Sequence, residues 1–134
     1  MDDSYTKSLL HFTGANESTT FIDESGKTWN APGQARIKTD YYKFGSASGW
    51  FDGSGSYIET PSSADFEPGA EPFTIDFWIY PLNAGNNTYL AGKSNPNAEQ
   101  GYDIRLHDYK IQVVGVNGWN INIANGSVNT GSWN

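Results

Sequence analysis

The chain has 134 residues, a formal net charge of −7 and no cysteine. That length suits one domain, residues 1–134, with a sizeable core, while the scarcity of Lys and Arg argues against a phosphate-neutralising, nucleic-acid-binding surface, and the lack of Cys excludes a disulfide framework or thiolate metal site. No apolar run reaches the length of a membrane span, and Met1-Asp2-Asp3-Ser4 lacks the basic flank and apolar stretch of a signal peptide.

Aromatic residues make up 15% of the chain. With Gly, Asn, Ser and Thr abundant and strong helix formers scarce, the expected class is all-β, with short strands and frequent turns. In chain order, residues 8–12 read as a first strand and 13–18 as a polar loop. Phe21-Ile22 leads into a turn at Asp23-Glu24-Ser25-Gly26. Residues 27–31 read as a short strand carrying Trp29, ended by Pro32-Gly33, and residues 35–38 as another. Residues 46–51 and 56–60 are expected to pair as a hairpin around Asp52-Gly53-Ser54-Gly55. Residues 61–71 form an irregular connection in which Asp65 and Glu67 flank Phe66.

Residues 73–81 are expected to be the central strand. Phe73, Ile75, Phe77 and Ile79 alternate with Thr74, Asp76, Trp78 and Tyr80, and Pro72 and Pro81 mark the limits because proline lacks the ladder donor. After a loop at 82–87, the segment from Gly101 onward reads as a meander. Tyr102, Ile104 and Leu106 alternate with polar residues, and a two-residue turn at His107-Asp108 leads into Tyr109, Ile111 and Val113. Asn117-Gly118 is the strongest hairpin signal, and its phase calls for a bulge near residues 113–115. Asn125-Gly126 starts a further reversal.

Several stretches, in this order, resemble a known family: Leu9-Leu10-His11-Phe12 with a following Gly, the turn at 23–26, Lys43-Phe44-Gly45, Phe51-Asp52-Gly53-Ser54-Gly55-Ser56-Tyr57-Ile58, and Phe73-Thr74-Ile75-Asp76-Phe77-Trp78-Ile79-Tyr80-Pro81. They look like the laminin G-like, concanavalin A-like jelly-roll domains, in the variety frequent in phage tail and other virion proteins and in bacterial surface proteins. The resemblance implies an antiparallel two-sheet β-sandwich of jelly-roll type, with a virion, extracellular or cell-surface location. Thr13 stands where relatives commonly have Asp. Relatives also continue past a Trp like Trp133 into further strands, so the expectation is either a domain truncated at its C-terminus or a reduced sandwich completed by strands of another chain. The open sheet edge of such a domain would favour self-association.

Three chemistries are weighed. Glycosidases of this fold set two carboxylates on alternate positions of one strand; here that strand offers only Asp76, with Asp103 as a partner from another strand. His11 and His107 lack a nucleophile context and do not make a zinc set. Loop oxygens suit calcium, which the family often binds; the candidate metal ligands are Asp23, Glu24 and Asp52, with Asp65 as a further loop acid. The leading reading is a non-catalytic, lectin-like carbohydrate-binding module. Asp76, Trp78, Tyr80 and Arg105 are its candidate site, because an aromatic face stacks on a pyranose while carboxylate and guanidinium groups bond hydroxyls. Asn83, Asn86, Asn87, Asn95 and Asn97 would form a polar rim. Trp29, Trp50 and Trp119 are expected in the core. The alternative is a structural assembly module that binds no sugar.

Overall fold

A computed structural model describes residues 3–67, 69, 71–83, 87–93, 101–115, 120–122 and 127–134, with 120–122 described by backbone alone. The turns expected at Asn117-Gly118 and Asn125-Gly126, the core role of Trp119, and the rim residues Asn86, Asn95 and Asn97 lie outside the described residues. The chain is all-β. Among the described residues, six strands form two antiparallel sheets, and the helical structure is a single 3-10 turn, Ala64–Phe66. Two compact units result, Met1–Ile75 and Asp76–Asn134.

In the first unit, β1 (Arg36–Lys38) pairs with β2 (Ser48–Trp50), with Ile37 opposite Gly49. Both strands are three residues long. Isolated bridges Leu10–Asp23, Ile22–Thr28 and Asn30–Glu59 carry the rest. The first strand expected at 8–12 is thus reduced to one bridge. The hairpin expected across residues 46–60 is replaced by two separate pairings, β2 with β1 and Glu59 with Asn30. The physical reason lies in the loop: Gly53 and Gly55 take φ of 71° and 87°, and Asp52 accepts from the Ser54 amide and the Ser56 hydroxyl. The loop closes on its own side chain rather than on a ladder.

Short strands leave the first unit dependent on side chains. Phe21, Ala35, Ile37 and Ala47 form a buried cluster, packed by Leu10, Phe12, Trp29, Ala31 and Ile58. Trp29 therefore sits against the core, as expected. Phe12 and Phe21 meet edge to face at 5.9 Å. The Phe12 ring also lies over Gly49, where an added β-carbon would fall 2.5 Å from the ring. Ile37 is fully buried; its amide donates to the Ser18 carbonyl and its carbonyl accepts from the Glu17 amide. Outside this core, Arg36 and Lys38 each stand 5.7 Å from the Trp50 ring. Glu17 pairs with both cations, a partly exposed cluster whose attraction solvent screens.

The second unit is a four-stranded meander of β3 (Thr88–Lys93), β4 (Tyr102–His107), β5 (Lys110–Gly115) and β6 (Asn120–Asn122). The β4–β5 register runs unbroken from Tyr102–Gly115 to His107–Lys110. The turn therefore falls at Asp108-Tyr109, one residue later than expected, and both residues adopt positive φ, 49° and 60°. That is the geometry of the favoured two-residue hairpin turn, bought here without glycine. The β5–β6 register is regular from Gln112–Asn122 to Val114–Asn120, and the turn that called for a bulge near 113–115 lies outside the described residues. A register irregularity lies in β3, between Tyr89 and Ala91. Ile104 and Leu106 are buried with Val128, whose amide donates to the Tyr109 carbonyl.

The stretch expected to be the central strand, residues 73–81, joins neither sheet. Its expected buried face is open: Phe73 is 58% exposed and Ile75 and Phe77 are each 39% exposed. A strand needs a neighbour for its backbone groups. Among the described residues that neighbour reaches only Ile79, which exchanges two backbone bonds with Asn134, and Pro81, which accepts from Gly131.

Replacing Gly49 by Ala should destabilise the chain by about 1–3 kcal/mol, because the new methyl overpacks the Phe12 ring. A Phe12→Leu, Gly49→Ala double variant should lose less than the sum of the single losses, which urea unfolding of the four proteins measures.

Candidate functional site

The second unit carries an open depression of about 320 Å³, lined by Asp76, Phe77, Trp78 and Asn134. Its position follows from the residues just beyond it. The two bonds between Ile79 and Asn134 and the bond from Gly131 to Pro81 pin the end of the segment. The Asn134 amide group donates to the carbonyls of Asn129 and Ser132, at 2.9 and 2.8 Å, and its oxygen accepts from the Asn129 amide. Asn134 is thus a wall of the depression whose polar atoms are already used. Trp78, 53% exposed, and Asp76 supply its outward chemistry, an indole surface beside a carboxylate.

Of the four sugar-site residues expected from the sequence, the fold brings Asp76 and Trp78 together in this lining and not the other two. The half-buried Tyr80 ring packs edge-on against Trp133, at 5.5 Å and 67°. Arg105, on β4, donates from Nε to Oε1 of the buried Gln112 at 2.6 Å across the β4–β5 pair. Phe77 and Asn134 were missed. Alternation assigns Phe77 to the opposite face, a rule that loses force where no sheet covers either face. No local signal marks Asn134. Asp103, the acid expected to partner Asp76 in catalysis, packs over β3, its Oδ1 only 2.6 Å from where a β-carbon on Gly92 would sit.

In the first unit, a second depression of about 270 Å³ is lined by Lys27, Thr28, Thr60, Pro61, Ser62 and Ser63. The Lys27 ammonium there is held by Asp65 at 2.8 Å and lies 5.4 Å from the Phe66 ring centre.

The expected metal ligands have separate surroundings. Asp23 is buried and accepts four hydrogen bonds. Oδ2 takes the Ser8 hydroxyl at 2.6 Å and Trp29 Nε1 at 2.9 Å; Oδ1 takes the amides of Leu9 at 3.1 Å and Ser25 at 2.7 Å. Burial alone would raise its pKa, but the hydrogen bonds from Ser8, Trp29, Leu9 and Ser25 outweigh it and hold the group at about 2, against an ordinary 3.8. A cation would have to displace these donors. Asp52 is fixed by Ser56 and Ser54, bonds that lower its pKa. Glu24 is exposed. Among the described residues no three His, Cys, Asp or Glu side chains converge to hold a metal ion.

His107 Nδ1 lies 3.1 Å from Asn87 Oδ1, and Nε2 lies 3.7 Å from Asp108. Among the described residues, no helix is long and apolar enough to cross a membrane. No protein-family model, curated protein or solved structure matches the chain.

Since the folded-state pKa of Asp23 lies below its unfolded value, its stabilisation is full above pH ~4 and disappears as pH falls through about 2. The shift corresponds to about 2 kcal/mol. Urea unfolding between pH 5 and 2 should show this loss in the parent chain, and Asp23→Asn should be less stable at pH 5 with a flatter pH dependence.

Proposed function

We propose that the chain is a non-catalytic, lectin-like carbohydrate-binding module of a virion, extracellular or cell-surface protein, built on a concanavalin A-like jelly-roll sandwich. The observation that carries this reading is the open depression lined by both Trp78 and Asp76. A pyranose presents an apolar face of C–H groups ringed by hydroxyls. An exposed aromatic ring takes the former and a neighbouring carboxylate accepts from the latter. Hydrolysis of a glycosidic bond needs a second acid, and Asp76 is the one carboxylate lining the depression among the described residues.

A structural assembly role is the second reading. It is favoured by the exposure of the large apolar side chains Phe73, Ile75 and Phe77, since exposed apolar surface is stabilised by association.

A glycan array probed with the parent chain and a Trp78→Ala variant, each with and without calcium, tests the first reading. Selective binding weakened at least tenfold in the variant is the expected result. Binding indifferent to the variant, or no binding at all, would overturn it. Dependence on calcium that is lost in Asp23→Asn, Glu24→Gln or Asp52→Asn would assign the cation to that residue.

A further inference from the structure

We infer that the polar face of the meander binds a sugar carrying a carboxylate, a hexuronate, with Arg105 clamping the carboxylate and the Tyr89 ring stacking on the sugar. This site is separate from the depression at Trp78 and Asp76 and goes beyond the reading above.

Arg105 is a cation kept apart from acids. Lys27 pairs with Asp65, and Arg36 and Lys38 pair with Glu17. Among the described residues, no carboxylate stands within ion-pair distance of Arg105 or Lys110. Asp103, two residues along the same face of β4, lies instead over Gly92 on β3. Acidic side chains outnumber Lys and Arg by 15 to 8, so the sequence offers partners that the fold withholds.

The same side chain is already oriented. Arg105 is partly buried, and its Nε donates at 2.6 Å to Oε1 of the buried Gln112, its cross-strand partner. That bond uses one N–H and holds the plane of the group. The N–H groups on Nη1 and Nη2 have no hydrogen-bond partner among the described residues. Two parallel N–H groups on one planar edge match the two oxygens of a carboxylate, and a guanidinium fixed beforehand loses less freedom on binding.

The neighbours extend the site beyond one charge. Tyr89 stands opposite Arg105 in the β3–β4 register, so both side chains leave the sheet on one face, with β-carbons about 5 Å apart. Tyr89 is 64% exposed, and the register shift just after it, before Ala91, is an irregularity of the kind that re-aims a side chain beside a site. Lys110, opposite His107 and one step along the same face from Gln112, adds a second positive charge. A neutral sugar would leave the guanidinium unmet, and a small inorganic anion would leave the ring unused; a hexuronate uses both. The net charge of −7 opposes any anion at long range, a repulsion that physiological salt screens beyond about 8 Å.

The chain has two arginines, Arg36 and Arg105, so a nitrogen–proton correlation spectrum carries two Nε–H signals, which an Arg36→Lys variant assigns. Titration with sodium glucuronate at constant ionic strength should move the Arg105 signal saturably and leave that of Arg36 in place, while glucose and sodium sulfate move neither. Backbone amide shifts along β4 should show binding weakened roughly tenfold in Arg105→Lys and roughly threefold in Tyr89→Ala, and unchanged in Trp78→Ala. Equal shifts at both arginines, no shift at either, or full binding by Arg105→Lys would overturn the site. Glucose or sulfate moving the Arg105 signal as far as glucuronate does would overturn the uronate assignment. Loss of binding in Trp78→Ala would overturn the separation of the two sites. The glycan array reads the Trp78 depression independently, so either site can fail while the other stands.

Discussion

The Asp23 carboxylate is what the first unit depends on. Its partners come from three separate places: Ser8 and Leu9 before it, Ser25 in the turn after it, and Trp29 on the next stretch. With two strands of three residues and a few isolated bridges, regular ladders cannot fix these segments. A buried carboxylate with four donors does so because a charged acceptor strengthens each bond, and because leaving any donor unmet in that setting is costly. Trp29 joins the two halves of the arrangement: its nitrogen serves Asp23 while its ring packs on the cluster around Ile37.

The second unit is organised differently. Its strands are long enough to be held by register, and side chains refine what the ladder determines. Ile104 and Leu106 are buried on one face of β4, and on the other Arg105 caps the buried Gln112. The guanidinium donates to the amide oxygen of Gln112, its cross-strand partner on β5, so this face carries a matched polar pair. Asp108 and Tyr109, at positive φ, complete the β4–β5 connection at a strain that the ladder beside them offsets.

Sequence periodicity was informative where a ladder exists. Alternation from Tyr102 through Val113 was visible because the meander has one covered face, and the Asp23–Gly26 turn was visible because its residues are chemically suited to reversal. The same rule misassigned residues 73–79: alternation reports a capacity to form a strand, and only a neighbour realises it. The turn at Asp108-Tyr109 escaped because tyrosine carries no turn signal. As for the candidate site, Asp76 and Trp78 were legible as a pair on one parity. The use of Tyr80 by Trp133 and of Arg105 by Gln112 depends on contacts between distant residues, which spacing along one segment does not encode.

Ile37 has a consequence for how the first unit opens. Its side chain is fully buried, and its amide and carbonyl are engaged by Ser18 and Glu17 at 2.7 and 2.8 Å while its neighbours pair with β2. Freeing that one amide means parting β1 from the 17–18 segment and exposing the cluster around it, so its exchange with solvent deuterium reports the opening of the unit as a whole. Among the described residues, the amides of Thr74 through Phe77 have no backbone partner. One polypeptide therefore spans both ends of the exchange scale, with its slow end set at an interior isoleucine and its fast end in an apolar stretch that faces water.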